Sequence, residues 1–79
     1  MGLLENLDKV HTTEMGVDRI KRNIEVDVDD IVAYCIDQIK QENAVIERRG
    51  KNYYVIVEGI IITVNASSYT IITAHKEKK

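Results

Sequence analysis

The spacing of hydrophobic positions changes once along this chain, near Ala44. Before that point they recur every three or four residues; after it they sit in β-branched and aromatic runs. Leu3, Leu4, Leu7 and Val10 predict a short first helix over about residues 3 to 10, roughly two turns. Thr12 and Thr13 are suited to cap a second helix over about 14 to 24, where Val17, Ile20 and Ile24 share a stripe and Asp18, Arg19, Lys21 and Arg22 point elsewhere. Gly16 either weakens that helix or admits a close neighbour. Asp27 reads as the N-cap of a third helix over about 28 to 41, with Asp29 and Asp30 in the first turn, where the helix dipole favours negative charge. Val28, Val32, Cys35 and Ile39 form its inner face.

The runs VIERR, YYVIV, IIITVN and YTIITAH predict strands over about 45 to 49, 53 to 57, 60 to 65 and 69 to 75, split by GKN, EG and ASS. The expected fold is therefore α+β: two to three N-terminal helices, then a four-stranded antiparallel meander, with the helices on one sheet face and one domain over residues 1 to 79. A two-residue turn at Glu58-Gly59 sets Val57 opposite Ile60, Val55 opposite Ile62 and Tyr53 opposite Val64. A three-residue loop from Ala66 to Ser68 adds Thr70, Ile72 and Ala74 to that face, and Ile46 joins through a tight turn at Gly50-Lys51. Such a sheet is about 19 Å wide at about 4.8 Å per strand, and two helices about 10 Å across cover it.

The same register turns Val45, Glu47, Arg49, Tyr54, Ile56, Ile61, Thr63, Asn65, Tyr69, Ile71, Thr73 and His75 to the other face. Val45, Ile56, Ile61 and Thr73 form one row across it; Glu47, Tyr54, Thr63 and Ile71 form the next. That is too apolar for a plain solvated face. It calls for the first helix folding over it, for a second copy docking on it or along the edge strand 69 to 75, or for a ligand.

Composition narrows the options. The chain has 79 residues, a formal charge of −2 and one cysteine, Cys35, so an internal disulfide is excluded and a reducing, cytoplasmic setting is expected. Cys35 lies on an apolar helical stripe, the place of a buried and unreactive thiol. Two histidines and one cysteine make a poor structural zinc set, and VDVDD at 26 to 30 fails as a calcium loop because Ile31 and Gln38 fall where ligands are needed. No metal or cofactor is expected. No membrane partner is expected either, since no long apolar run occurs and Glu5 and Asp8 interrupt the start of the chain where a signal peptide would be apolar. MGLLEN lacks the Ser or Thr that myristoylation requires, and no Walker loop, GxGxxG or GxSxG is present. The C-terminal KEKK reads as a solvated tail.

The segments HTTEMGVDRIKRN at 11 to 23 and GKNYYVIVEGIIITVNASSYTIITAHK at 50 to 76 resemble a family of small bacterial and archaeal proteins classed only as a domain of unknown function. The order of helices followed by a four-stranded antiparallel sheet is also similar, at the level of fold, to the metal-independent ribonucleases that include barnase-like and toxin-type enzymes. That second similarity implies His, Arg, Lys, Glu or Tyr acting from the sheet. RNA cleavage needs a histidine and a second acid or base about the ribose 2′-OH, with a cation on the phosphate. His75, His11 and Glu47 are the candidate catalytic residues, although the predicted register sets Glu47 and His75 on opposite edges, more than roughly 10 Å apart. Basic clusters occur at Arg19, Lys21 and Arg22, at Arg48, Arg49 and Lys51, and at Lys76, Lys78 and Lys79.

These observations point to a small interaction module that self-associates through the outer sheet face or the last strand. The candidate binding residues are Arg49, Lys51, Tyr54, Ile61, Thr63, Tyr69, Thr73 and His75. The alternative is an RNA-binding domain or a metal-independent ribonuclease centred on His75.

Overall fold

A computed structural model describes residues 2–77, so Lys78 and Lys79 of the expected tail and third basic cluster lie outside the described residues. Three helical segments precede four strands: a 3₁₀ helix at Leu3–Lys9, α1 at Glu14–Ile24, α2 at Ile31–Ile39, then β1 (Val45–Arg49), β2 (Asn52–Val57), β3 (Ile60–Asn65) and β4 (Ile71–Lys76). The strands form one antiparallel sheet in the order β1-β2-β3-β4. The fold is α+β, as the change of hydrophobic period implies.

Local chemistry explains each helix. In the first segment, Asn6 leaves helical geometry at φ −127° and its side-chain amide donates to the Gly2 carbonyl, at 3.0 Å. A side chain competing for backbone partners in this way shortens the turn and breaks a regular α-helix. Thr13 caps α1 by accepting the Gly16 N–H at 3.0 Å. A methyl group at Gly16 would collide with Thr12 Oγ1, so a larger residue there would turn Thr12 away from its bond to the Ile71 carbonyl. Glu25 ends α1 in the left-handed region, at φ 56°, and its carboxylate pairs with Lys76 at the end of β4. The hydrogen bond from Lys76 and its charge hold that carboxyl below its ordinary range.

α2 starts three residues later than its spacing predicts. Asp30, and not Asp27, is the cap, accepting the Ala33 N–H at 3.1 Å. The stretch Val26-Asp27-Val28-Asp29 alternates with period two, and it runs non-helically with both valines half-buried against the core.

The β2–β3 hairpin follows the turn chemistry. Glu58 and Gly59 both have positive φ, at 49° and 77°, as a type I′ turn demands, and Val57 faces Ile60, Val55 faces Ile62 and Tyr53 faces Val64. β1 and β2 meet across Gly50-Lys51, with Arg49 opposite Asn52 and Ile46 half-buried against the core.

β4 departs from simple alternation. Thr63 pairs with Thr73 and Ile61 with His75, two residues on from the register that a three-residue loop would set. Between Thr63 and Val64 the register shifts again, because Val64 faces Ile71 and leaves Ile72 as the extra residue of a β-bulge. Ile71 is therefore in the core at 1% exposure and Ile72 is out of it at 44%. The expectation that Thr70 and Ile72 line the core while Ile71 faces outward is corrected accordingly. Tyr69, expected on the outer face, packs against the core instead.

α1 packs along β4 and α2 over β2. Between these helices and the sheet lie Ile20, Ile24, Ile31, Cys35 and Ile39, meeting Val55, Val57, Ile62, Val64, Ile71 and Ala74. Leu3, Leu7 and Val10 join this same core, whereas Ile56 and Ile61 lie outside it, so the first helix does not cover the outer face.

Candidate functional site

Two features stand apart from the core: one polar end of the sheet, and its outer face. The Gly50-Lys51 turn and the loop from Ala66 to Thr70 share one end, tied by the Ala66 N–H donating to the Lys51 carbonyl at 2.8 Å. The chain start reaches the same end. His11 forms an isolated parallel bridge with Thr70: its N–H donates to the Tyr69 carbonyl (3.1 Å), and its carbonyl accepts from the Ile71 N–H (2.7 Å). Thr12 Oγ1 adds a bond to the Ile71 carbonyl, at 3.0 Å.

Side chains extend this link. The His11 ring places Nδ1 at 2.8 Å from the Lys9 carbonyl and Nε2 at 3.0 Å from Thr70 Oγ1. Thr70 Oγ1 is 2.8 Å from Ser68 Oγ, which lies 3.2 Å from Asn65 Oδ1. That Asn65 oxygen also accepts the N–H groups of Ser67 and Ser68, each at 2.9 Å, and so holds the loop. Tyr69 sits within the loop at φ 59°, with the Lys9 ammonium 5.9 Å from its ring centre. Arg48 lies over the Tyr53 ring at 5.4 Å, and Arg49 over Tyr54 at 6.0 Å while pairing with Glu47 at 3.1 Å. Arg48, Arg49 and Lys51 lie at this end on the β1 side, the two arginines over opposite faces of the sheet, and Lys9 lies on the β4 side; Glu58 and Glu77 belong to the opposite end.

On the outer face, Val45, Ile56, Ile61 and His75 are cross-strand neighbours in one row, and Glu47, Tyr54, Thr63 and Thr73 in the next. Val45 is 53% exposed, Ile56 and Ile61 are half-buried, and Thr63 is buried among its neighbours. Asn23 of α1 donates to Thr73 Oγ1 at 3.5 Å.

The predicted site residues thus fall into two groups. Arg49, Lys51 and Tyr69 lie towards the loop end with His11, while Ile61 and His75 lie along the face towards the other end. Tyr54, Thr63 and Thr73 form the row between them. His75 sits opposite Ile61, four residues along β3 from Asn65, which is about 14 Å at about 3.4 Å per residue. Glu47 is on β1, the far edge, and is already paired. His75, His11 and Glu47 do not converge. Cys35 is buried, and burial pushes its thiol up to about 12. Among the described residues no group of three or more His, Cys, Asp or Glu side chains is placed to hold a metal, and no helix is long and apolar enough to cross a membrane.

Residues 4–75 match the family described as "Protein of unknown function (DUF3781)". The chain belongs to this family. No curated protein and no solved structure matches it. The matched span includes both His11 and the loop from Asn65 to Thr70, so the polar cluster lies wholly within the family domain. Sequence reasoning offered His11 as a catalytic candidate beside His75 and Glu47 and did not join it to Thr70. The available signal was the pair of hydroxyl-rich segments, HTT and NASSYT, that carry the family resemblance.

Proposed function

We propose that this protein is a small interaction module whose working surface is the outer sheet face, and that the face docks on a second copy of the chain. The row of Val45, Ile56 and Ile61, left outside the core with no helix over it, carries this reading. An antiparallel sheet with one solvated face ordinarily turns polar residues to water. The charged groups of the face, Glu47 and Arg49, pair with each other, so a copy meets no net charge of its own sign. At about 19 Å by about 20 Å, the face presents roughly 400 Å² per copy, about 800 Å² in total, which belongs to weak and transient association.

Light scattering over a concentration series tests this. A dimer that forms with rising concentration and disappears in Ile61→Lys supports it; a monomer throughout, indifferent to that substitution, would refute it.

A second reading is favoured by one observation, the Arg49 guanidinium over the Tyr54 ring on the outer face, with Lys51 in the adjoining turn. Single-stranded RNA would bind there through its phosphates. This reading requires affinity to fall steeply with salt and on Arg49→Ala, and it does not involve His75.

A further inference from the structure

We infer that His11 fastens the chain start to the loop before β4 as a doubly protonated imidazolium, which makes this contact a latch set by protonation. A row of four polar contacts runs from the Lys9 carbonyl through the two ring nitrogens of His11, Thr70 Oγ1 and Ser68 Oγ to Asn65 Oδ1, at 2.8, 3.0, 2.8 and 3.2 Å in turn. Both ends of the row only accept. The Lys9 oxygen is a carbonyl, and Asn65 Oδ1 takes the N–H groups of Ser67 and Ser68. Ser68 therefore donates to Asn65 and Thr70 donates to Ser68, which leaves Thr70 Oγ1 as the acceptor for a hydrogen on Nε2. The Lys9 carbonyl requires another on Nδ1. Four contacts need four hydrogens: the two hydroxyls bring two, a neutral ring brings one and an imidazolium brings two. With a neutral ring, one contact is left with two lone pairs facing each other.

Charge about the ring gives no other cause for the second hydrogen. Among the described residues no carboxylate forms an ion pair with His11. The 3₁₀ helix brings Asp8 and Lys9, the loop brings Tyr69, the adjoining turn brings Lys51 and α1 begins with Glu14. At the far end of β4, Lys76 pairs with Glu25 next to His75. The Lys9 ammonium, turned to the Tyr69 ring, opposes further positive charge nearby. Hydrogen bonding to the charged ring is therefore what favours it.

What the latch closes is the start of the β4 edge. The His11 N–H and carbonyl occupy the Tyr69 carbonyl and the Ile71 N–H, two groups that would otherwise be open to an added strand. Tyr69 itself holds φ at 59°, where a bulky side chain is strained, and the bonds on either side of it keep it there. An unperturbed histidine exchanges its second hydrogen near pH 6.5, within the range cells use. The stability that the row contributes is complete in acid and is lost as rising pH strips the ring of that hydrogen. The chain start is then held by its two backbone bonds and by Thr12.

Urea melts of the full chain at about pH 5.5 and about pH 8 read the latch through Thr70→Val, which keeps the shape of the side chain and removes the acceptor of the Nε2 hydrogen. The fall in midpoint caused by Thr70→Val is expected to be about twofold larger at the lower pH, and equal at the two when made in His11→Ala. Equal falls in the unaltered background, or a larger fall at the higher pH, would overturn the latch. The ring nitrogen shifts of the unaltered protein, followed through neutrality, need no variant. His11 should still carry both ring hydrogens where the exposed His75 has lost one from half of its molecules, and coincident or reversed loss overturns the inference.

Discussion

Replacing Ile71 by alanine is expected to cost about 3 kcal/mol, whereas the same change at Ile72 costs about 1. The two side chains are identical and adjacent, so propensity and chain entropy cancel in the comparison and only burial differs. Ile→Ala removes three carbons, worth about 0.8 kcal/mol each when fully buried, or about 2.4 kcal/mol. Ile71 is 1% exposed, among Val64 and the other core residues, so a cavity term adds to this and brings the total to about 3 kcal/mol. Ile72 is 44% exposed, which leaves roughly half of the transfer term and no enclosed cavity. A chain of 79 residues has a total stability of about 4 to 12 kcal/mol, so the first change approaches the lower limit of what the fold tolerates. Urea melts read the difference: at a slope of about 1 kcal/mol per molar, the midpoint falls by about 3 M for Ile71→Ala and about 1 M for Ile72→Ala. Ile71→Val, at about 1 kcal/mol, serves if the alanine variant does not fold. Equal costs at the two positions, or a larger one at Ile72, would refute the bulge and restore unbroken alternation along β4.

Two further outcomes follow from single positions. Burial raises the Cys35 thiol from 9.0 to about 12, so the folded state holds that proton more tightly; the associated stability is complete below pH 9 and is lost as pH rises towards 12, about 2 kcal/mol by pH 10.5. Urea midpoints at pH 8 and 10.5 should fall further in the unaltered protein than in Cys35→Ala, and equal falls would count against a buried thiol. Glu58 occupies the first central position of a type I′ turn at φ 49°, where asparagine fits better, so Glu58→Asn should stabilise by about 0.5 kcal/mol and raise Tm by about 2 to 4 °C, despite losing its exposed bond from Asn43. A lower Tm would argue against that turn type.

Where the sequence carries a local instruction, the structure follows it. Glu58-Gly59 sets the β2–β3 register, Thr13 caps α1, and the period-two run from Val45 onwards places Ile56 and Ile61 on the face opposite the helices. Failures occur where the deciding partner is distant. Nothing within the run from Thr70 to Ala74 tells which of two adjacent isoleucines turns inward; that is settled by the Asn65 turn on one side and by His11, 59 residues from Thr70, on the other. The same separation hides the candidate site. His11 and Thr70 become one unit only when the chain start closes on β4, whereas His75 and Glu47 share a residue chemistry that strand pairing keeps apart.

That closure also bears on the proposed association of two copies. The edge of β4 was a candidate for pairing, but His11 and Thr12 bond to its first residues and α1 packs along it. The remaining edge, β1, carries Glu47, Arg48 and Arg49, and charge along an exposed strand discourages addition of another. Symmetric pairing of β1 with its own copy about Glu47 or Arg48 would set like charges directly opposite, which is destabilising. With the start of the β4 edge occupied and the β1 edge charged, the proposed association falls to the row of Val45, Ile56 and Ile61. The proposed dimer would therefore be a weak face-to-face one, and a continuous eight-stranded sheet across two copies, seen by any structural method, would count against it.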